Sequence, residues 1–320
     1  MRIDPQIRAL RDPDVSQRSI QGALEDARDS WLAGPAHALA REMEAFGQGA
    51  ELASCPGLSG LFADDNEGME MVEAFVSPML ASLARHPLGH VPLRHQFSDK
   101  ISIIELIKSG HAALTLIAYD ALEIEPTSVS FGGGERHEKV LAGVGDFLLV
   151  DLLEEHDTHA AIDTTRRRLV AGETLRSADH RTARLVTRVH GRMVLLRLAR
   201  TEDNPCDTRQ FSLADGRLLH RASGSRNESR REMAMALLGR MGRKDAAPLL
   251  AELSREGSDH IRWQSLRECL ALDTATGFSA LSHIASDPSD SLSGVAAALR
   301  GQLVDAYPTL AKLEVAQCPA

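Results

Sequence analysis

Residues 235–292 repeat at a spacing of 31, and this repeat constrains the fold more than any other feature of the 320-residue chain. The aligned pairs are Met235 and Leu266, Leu238 and Cys269, Met241 and Leu272, Leu250 and Leu281, Leu253 and Ile284, Asp259 and Asp290, and Ile261 and Leu292. A period of about 20–50 residues is typical of stacked supersecondary units that bury their apolar faces against one another. The repeat therefore predicts a helical array, which more often presents an interaction surface than a catalytic centre.

This helical region resembles HEAT-type repeats, over roughly a quarter of the chain. Residues 234–242 resemble the first helix and turn of that family, and residues 246–250 resemble the start of its second helix. Residues 259–263 resemble its Asp-x-Val-Arg junction. The resemblance implies stacked helices that present a surface to proteins, peptides or nucleic acid, and it implies no reaction.

Composition and charge exclude some classes of function. Only 4% of the residues are aromatic, which argues against base-stacking platforms, and the net charge of −9 opposes attraction to phosphate. We therefore do not expect a nucleic-acid partner. The first residues carry charges and a proline where a secretory signal has an apolar run, and no later segment has 18 uninterrupted apolar residues. We expect a cytoplasmic protein that does not contact membranes.

Three regions follow from the changes in periodicity along the chain, and together they predict an α+β fold. Residues 1–95 are expected to be helical, with apolar stripes at helical spacing in residues 32–46 and 69–83 and a loop over residues 50–68. Residues 96–222 show a strand-like period and predict an antiparallel β-sandwich or barrel. Residues 223–320 form the helical repeat region.

The β region contains eight short apolar runs that we interpret as strands. They are residues 101–107, 112–119, 128–131, 137–141, 147–153, 168–170, 183–189 and 193–198. Lys108-Ser109-Gly110 and His190-Gly191 have the composition of tight hairpin turns. Close turns between so many short strands favour an antiparallel arrangement.

Residues 130–146 resemble the first motif of a cupin, with a glycine-led turn and with His137 and Glu138 near the expected ligand positions. Residues 169–173 resemble the Pro-x-Gly turn of the second motif, and His180 follows as its late histidine. The resemblance covers about 90 residues, and the His-x-His pair of the first motif is absent. It implies a cupin-like barrel and, in metal-binding members of the family, a metal held by histidines and a glutamate.

A catalytic metal needs about three protein ligands that converge on one open position. The candidates are His137, His156, His159 and His180. His137 and Glu138 are adjacent, so on a regular strand only one of them points to a given face. The alternatives are that His137 is an ordinary sheet-face histidine and that His156 and His159 lie in a solvated loop.

Charge is distributed unevenly within the β region. Residues 101–163 contain 12 acids and 3 bases, whereas residues 164–232 contain 16 arginines, no lysine and 8 acids. This asymmetry suggests an acidic partner or ligand, and the alternative is that neighbouring strands neutralise each other. The arginines that we assign to partner binding are Arg166, Arg167, Arg168, Arg230, Arg231 and Arg262.

The leading hypothesis is a peptide- or protein-binding accessory protein in which the cupin-like barrel and the HEAT-like repeats form a groove, without a cofactor. The alternative is a metal-dependent cupin-type oxygenase or isomerase that acts on a small molecule or a peptide. In that case the histidines would bind Fe, Zn or Mn, with Glu138 or Glu173 as base or ligand. Nucleic-acid binding through the arginine-rich segment is a third and weaker hypothesis.

Overall fold

The computed structural model describes residues 17–63, 66–87, 89–177, 179–202, 205–224 and 226–311. The chain divides into two compact units, Met1–Arg221 and Ala222–Ala320. The first unit holds helices followed by antiparallel sheets, and the second is helical. The predicted α+β class is confirmed.

Four helices precede the strands: α1 (Gln17–Ala33), α2 (His37–Gly47), α3 (Pro56–Gly60) and α4 (Glu67–Arg85). The apolar stripe of α2 is buried as predicted, and Val72, Phe75 and Met79 of α4 are buried too. Met69 and Leu83, which belong to the predicted stripe of α4, are only half-buried. The segment predicted as a loop contains a 3-10 turn and α3, because Pro56 can occupy the first turn of a helix.

The β region has thirteen strands among the described residues, five more than the sequence indicated. They are β1 (His95–Ser98), β2 (Ile101–Ser109), β3 (Ala112–Tyr119), β4 (Leu122–Glu123), β5 (Ser128–Phe131), β6 (Glu135–Ala142), β7 (Val144–Glu155), β8 (Ala160–Val170), β9 (Thr174–Ser177), β10 (Thr182–Val189), β11 (Met193–Arg200), β12 (Thr208–Ser212) and β13 (Leu218–Ala222). The five that were missed are short or largely polar. Their lack of an apolar run explains why the periodicity did not reveal them.

The strands form three sheets. The six-stranded sheet has the order β1-β2-β3-β11-β6-β9, the four-stranded sheet β4-β10-β7-β8, and the three-stranded sheet β13-β12-β5. The predicted hairpin at Lys108–Gly110 is confirmed, since β2 pairs with β3 and Gly110 adopts a φ of +52°. The hairpin predicted at His190-Gly191 is wrong. This turn joins β10 of the four-stranded sheet to β11 of the six-stranded sheet, so the two strands do not pair with each other.

The layers of the first unit are held together by three apolar cores. One face of the six-stranded sheet packs against the helices, and Leu196 and Leu198 of β11 lie in the same core as Phe46 and Phe75. The other face packs against the four-stranded sheet, whose outer face is covered in turn by the three-stranded sheet. Each fully buried Leu or Phe side chain contributes about 1.5–3 kcal/mol. Successive side chains of β6 and β11 point to opposite faces of the six-stranded sheet, so every second residue of these strands lies between the two larger sheets.

The second unit contains α5 (Arg226–Arg240), α6 (Ala247–Leu253), α7 (Asp259–Leu272), α8 (Thr274–Ser286) and α9 (Ser293–Ala306). The spacing of 31 is visible in its packing, since Leu250 and Leu281 are both fully buried. Arg262 links successive repeats, because its guanidinium binds Asp259 at 3.3 Å and also Asp290, the equivalent residue one repeat later. The helices are observed, and their assignment to HEAT-type repeats stays a prediction.

Candidate functional site

A cavity of about 370 Å³ lies between the six-stranded and four-stranded sheets. Its walls combine apolar side chains with an unusual number of charged ones. The apolar part includes Tyr119, Leu149, Leu175 and Val186, and the charged part consists of Arg136, Arg176, Arg184, Arg197, Glu138 and Asp151. Four arginines against two carboxylates leave a formal charge of +2. The cavity therefore favours an anionic occupant.

The register of the strands explains why charged side chains meet inside this apolar layer. Arg197 of β11 lies opposite Glu138 of β6, and Glu138 lies opposite Leu175 of β9. Arg136 precedes Glu138 by two residues and therefore points to the same face of the sheet. Arg184 approaches from β10 of the facing sheet.

Glu138 is 5% exposed and is the centre of this cluster. It accepts hydrogen bonds from Nε and Nη2 of Arg184 and from Nε of Arg197, the last at 2.5 Å. Burial raises the pKa of Glu138, but the charges and hydrogen bonds of Arg184 and Arg197 outweigh it, so the pKa lies below its ordinary value. Glu138 is thus an ionised carboxylate whose hydrogen-bonding capacity is largely used by the protein itself.

Arg184 is fixed from two sides. Burial lowers the pKa of Arg184, yet its contacts with Glu138 and Tyr119 raise it above the ordinary value overall. Its guanidinium also lies over the ring of Phe147, 5.3 Å from the ring centroid. These contacts hold a permanent positive charge in place between the sheets.

Arg136 differs from the other two arginines of the cluster. Within the part of the chain that the structure describes, it makes no hydrogen bond or ion pair. Arg136 is partly exposed to solvent, but protein atoms surround the guanidinium closely enough to lower its pKa, and the positive charge of Arg197 lowers that pKa further. Arg136 therefore lines the cavity with a guanidinium whose donors have no acceptor among the described residues.

A second cavity of about 700 Å³ lies on the opposite face of the β6–β9 pair, beneath the helices. Glu135 is its central charge. It binds Arg200 at 2.7 Å, His137 Nε2 at 2.8 Å and Arg176 at 3.3 Å. Burial raises the pKa of Glu135, whereas His137, Arg200 and Arg176 lower it and prevail. Phe62 covers this cluster, with its ring centroid 6.0 Å from that of His137.

The four histidines that the sequence proposed as metal ligands are not brought together. His137 faces the helices, His156 and His159 are exposed in the turn between β7 and β8, and His180 is exposed between β9 and β10. Across the described residues, no three His, Cys, Asp or Glu side chains are grouped so that they could hold a metal ion. Glu138 lies against two guanidinium groups, whose charge disfavours a metal cation there. The described residues thus do not fit the metal centre that the cupin resemblance implies.

Three of the arginines proposed for partner binding are neutralised within the first unit. Arg166 approaches Glu125 at 3.5 Å, Arg167 binds Glu173 at 3.1 Å, and Arg168 binds Asp146 at 2.7 Å. Arg168 and Asp146 are direct cross-strand partners, as the neutralisation alternative expected. The Glu173 carboxylate also accepts a hydrogen bond from the backbone N–H of Val170 at 2.7 Å.

The other three proposed arginines lie in the second unit. Arg230 and Arg231 are exposed on α5. Arg262 is 9% exposed, and its guanidinium is occupied by Ser254 O, Asp259 and Asp290. Arg262 is therefore a link between helices. The prediction that it contacts a partner is wrong, because its guanidinium is buried and occupied.

The arginines that line the inter-sheet cavity were missed from the sequence, although a signal was present, whereas Glu138 was named only as a possible base or metal ligand. Arg184 interrupts the apolar run of β10, and Arg197 interrupts that of β11 between two buried leucines. An arginine at an inward position of an apolar strand is costly unless it has a partner. Such interruptions point to a buried ion pair or a binding site.

Comparisons with known proteins show distant structural similarity. No family model and no curated protein matches the chain. A cupin superfamily protein from Desulfitobacterium hafniense is similar at 14% identity and a TM-score of 0.24, over 33% of this chain and 83% of that one. The CENP-C cupin domain of Drosophila melanogaster is similar at 13% identity and a TM-score of 0.26, over 33% of this chain and 74% of that one. The lyase DddQ of Ruegeria pomeroyi is similar at 16% identity and a TM-score of 0.26, over 43% of this chain and 66% of that one. These values bear on neither the function nor the partners of this chain.

No helix in the described ranges combines the length and the apolar character needed to span a bilayer.

Proposed function

We propose that this chain is a binding protein whose first unit holds an acidic peptide, or an acidic segment of a protein partner, with one carboxylate in the inter-sheet cavity. The observation that carries the proposal is the cluster around Glu138. One carboxylate there is shared by Arg184 and Arg197, and Arg136 stands beside them without an internal acceptor.

Electrostatics favours a carboxylate as the occupant. The guanidinium groups of the cluster number three, whereas the cavity holds two carboxylates, Glu138 and Asp151, so one positive charge remains in a partly buried space. An additional carboxylate lowers this repulsion and accepts hydrogen bonds from the planar fork of Arg136. A neutral amide of the same shape relieves none of the repulsion.

The size and lining of the cavity set the scale of the ligand. A volume of about 370 Å³ accommodates a side chain with its neighbouring backbone, which is smaller than a folded domain. Tyr119, Leu149 and Val186 provide apolar walls for the methylene groups of an acidic side chain. These features favour aspartate, glutamate or a terminal carboxylate within an extended segment.

A matched pair of peptides tests the proposal. The probe is a fluorescein-labelled, amidated heptapeptide Thr-Val-Thr-Glu-Thr-Val-Thr, and its partner replaces the glutamate by glutamine. Titration into the full chain should show binding of the glutamate peptide about tenfold tighter, since a hydrogen bond to a charged group contributes about 1.5–3 kcal/mol. Equal affinity for both peptides would end the proposal.

The exposed residues Arg230 and Arg231 stay in the proposal as a separate contact for an acidic partner, supported by their charge and exposure. The metal-dependent enzyme also stays a prediction from the sequence. It would need ligands other than the four histidines, because these are distributed over different faces and turns of the first unit.

A further inference from the structure

The geometry of β9 points to a binding mode: we propose that the peptide adds as a strand to the free edge of β9 and sends alternate side chains into the two cavities. This inference rests on the proposed function for its ligand class. Strand addition specifies which backbone groups of the peptide bind, how far apart the recognised side chains lie, and which type of side chain each cavity prefers.

The edge of β9 is available for pairing. Among the described residues, β9 ends the six-stranded sheet and pairs only with β6. Thr174 and Arg176 are exposed, while Leu175 and Ser177 are half-buried. An exposed sheet edge is a template for another strand, and strand addition is a common mode of peptide recognition.

The hydrogen-bond pattern shows which backbone groups face outward. The N–H of Val140 donates to the carbonyl of Glu173 at 2.9 Å, immediately before β9 begins. Hydrogen-bonded positions alternate along an antiparallel pair, so Leu175 and Ser177 turn their backbone groups toward β6. The N–H and C=O groups of Thr174 and Arg176 consequently face the open edge.

Both cavities reach this edge. Thr174, Leu175 and Arg176 line the cavity beneath the helices, and Leu175, Arg176 and Ser177 line the cavity between the sheets. Side chains of an added strand alternate between the two faces of the sheet. Residue i of the peptide would thus enter one cavity, and residues i−1 and i+1 would enter the other.

The two cavities differ in the side chain that they favour. The inter-sheet cavity keeps a formal charge of +1 when Arg176 is assigned to its partner Glu135, and it selects an acidic residue. In the cavity beneath the helices, Arg176 and Arg200 are already paired with Glu135. Ser59, Phe62 and the larger volume of about 700 Å³ favour uncharged side chains there, including aromatic ones. The partner is therefore an extended segment in which an acidic residue is flanked by uncharged neighbours.

The test uses N-methylation of the probe peptide, one backbone amide at a time over its five central residues. Strand addition predicts that affinity falls about tenfold at every second amide, the period of an antiparallel ladder, because only those N–H groups face β9. Unchanged affinity at all positions, with the glutamate preference retained, would overturn strand addition and leave the proposed function intact. Loss of the glutamate preference itself would instead overturn the proposed function.

A protein variant provides the complementary test. Thr174→Pro removes one outward N–H at a position where an edge strand tolerates proline, and Thr174→Val is the matched control. The proline variant should bind the peptide about tenfold more weakly while melting at the same temperature as the control. If the proline variant binds as the control does, the edge is not used. Self-association that Thr174→Pro abolishes, without any peptide binding, would identify a second copy of the chain as the occupant and contradict the proposal.

Discussion

Arg184 of β10 and Glu138 of β6 face each other between two sheets, and Arg184 donates two hydrogen bonds to the Glu138 carboxylate. The two residues are 46 positions apart in the chain and belong to different sheets. Their ion pair therefore links the two largest β layers at the wall of the cavity. Arg197 adds a second cation to the same carboxylate.

Removing the central carboxylate should destabilise the first unit strongly. Glu138→Gln leaves two guanidinium groups close together without their common counter-charge, and breaking a buried pair in this way costs about 3–5 kcal/mol. Urea unfolding followed by circular dichroism measures the loss. The control is Glu125→Gln, which removes an exposed partner of Arg166 and should change stability by less than about 1 kcal/mol. Equal effects of the two substitutions would mean that the Glu138 cluster is not a structural centre.

The same carboxylate should give the unit a recognisable dependence on pH. The pKa of Glu138 is lowered from an ordinary value of 4.5, so folding favours its ionised form. The stability that it contributes is fully present above about pH 4.5 and is lost as the pH falls through the lower pKa of the folded state. Unfolding free energies measured from pH 6 down to pH 3 should fall more steeply in the wild type than in Glu138→Gln. Parallel curves would contradict the assignment.

Much of this architecture could be predicted from local patterns, whereas the cavity could not. Lys108 to Gly110 form a hairpin because the turn residues and both strands are adjacent in sequence. The turn at His190-Gly191 has a similar composition, but β10 and β11 on either side of it belong to different sheets. Each of these strands pairs with strands that are distant in sequence, which the local pattern does not show. The cluster at Glu138 depends on β6, β10 and β11 together, so no single segment reveals it.

The proposed ligands illustrate the same limit. His137 does lie on a strand of the β unit, but its ring binds Glu135, two residues earlier on the same face of β6, and no other proposed histidine ligand is grouped with it among the described residues. Arg262 lies at the predicted junction of a helical repeat. It was expected to contact a partner, but it binds Asp290, the residue equivalent to Asp259 one repeat later, and is buried. Packing between elements, which periodicity does not specify, separates exposed arginines from buried ones.

The link made by Arg262 should contribute to the stability of the second unit. Arg262→Gln leaves Asp290 without its guanidinium partner and should cost about 1–3 kcal/mol. Arg230→Gln on α5 is the matched control, because Arg230 is exposed, and it should change stability by less than about 0.5 kcal/mol. Thermal unfolding monitored by calorimetry distinguishes the two. A neutral Arg262→Gln variant would show that the contact between repeats carries no stability.

Metal binding can be tested on the histidines themselves. Because His137 and His180 do not converge on one position, the double variant His137→Ala with His180→Ala should take up the same amount of Fe(II), Mn(II) or Zn(II) as the wild type. Elemental analysis by mass spectrometry after incubation and gel filtration gives the comparison. Near-stoichiometric metal in the wild type that disappears in the double variant would favour the metal-dependent enzyme, the alternative from the sequence, over the binding protein.

Carboxylate recognition by the inter-sheet cavity is tested most directly by a double-mutant cycle between Arg136 and the carboxylate of the peptide. Wild type and Arg136→Gln are titrated with the glutamate and glutamine heptapeptides, and Arg166→Gln is the control for a general change in charge. Recognition of the carboxylate in this cavity predicts a coupling energy of about 1 kcal/mol or more for Arg136, reduced by solvent screening of a partly exposed side chain, and no coupling for Arg166. Zero coupling at Arg136, or equal coupling at both arginines, would contradict the claim that this cavity recognises a carboxylate.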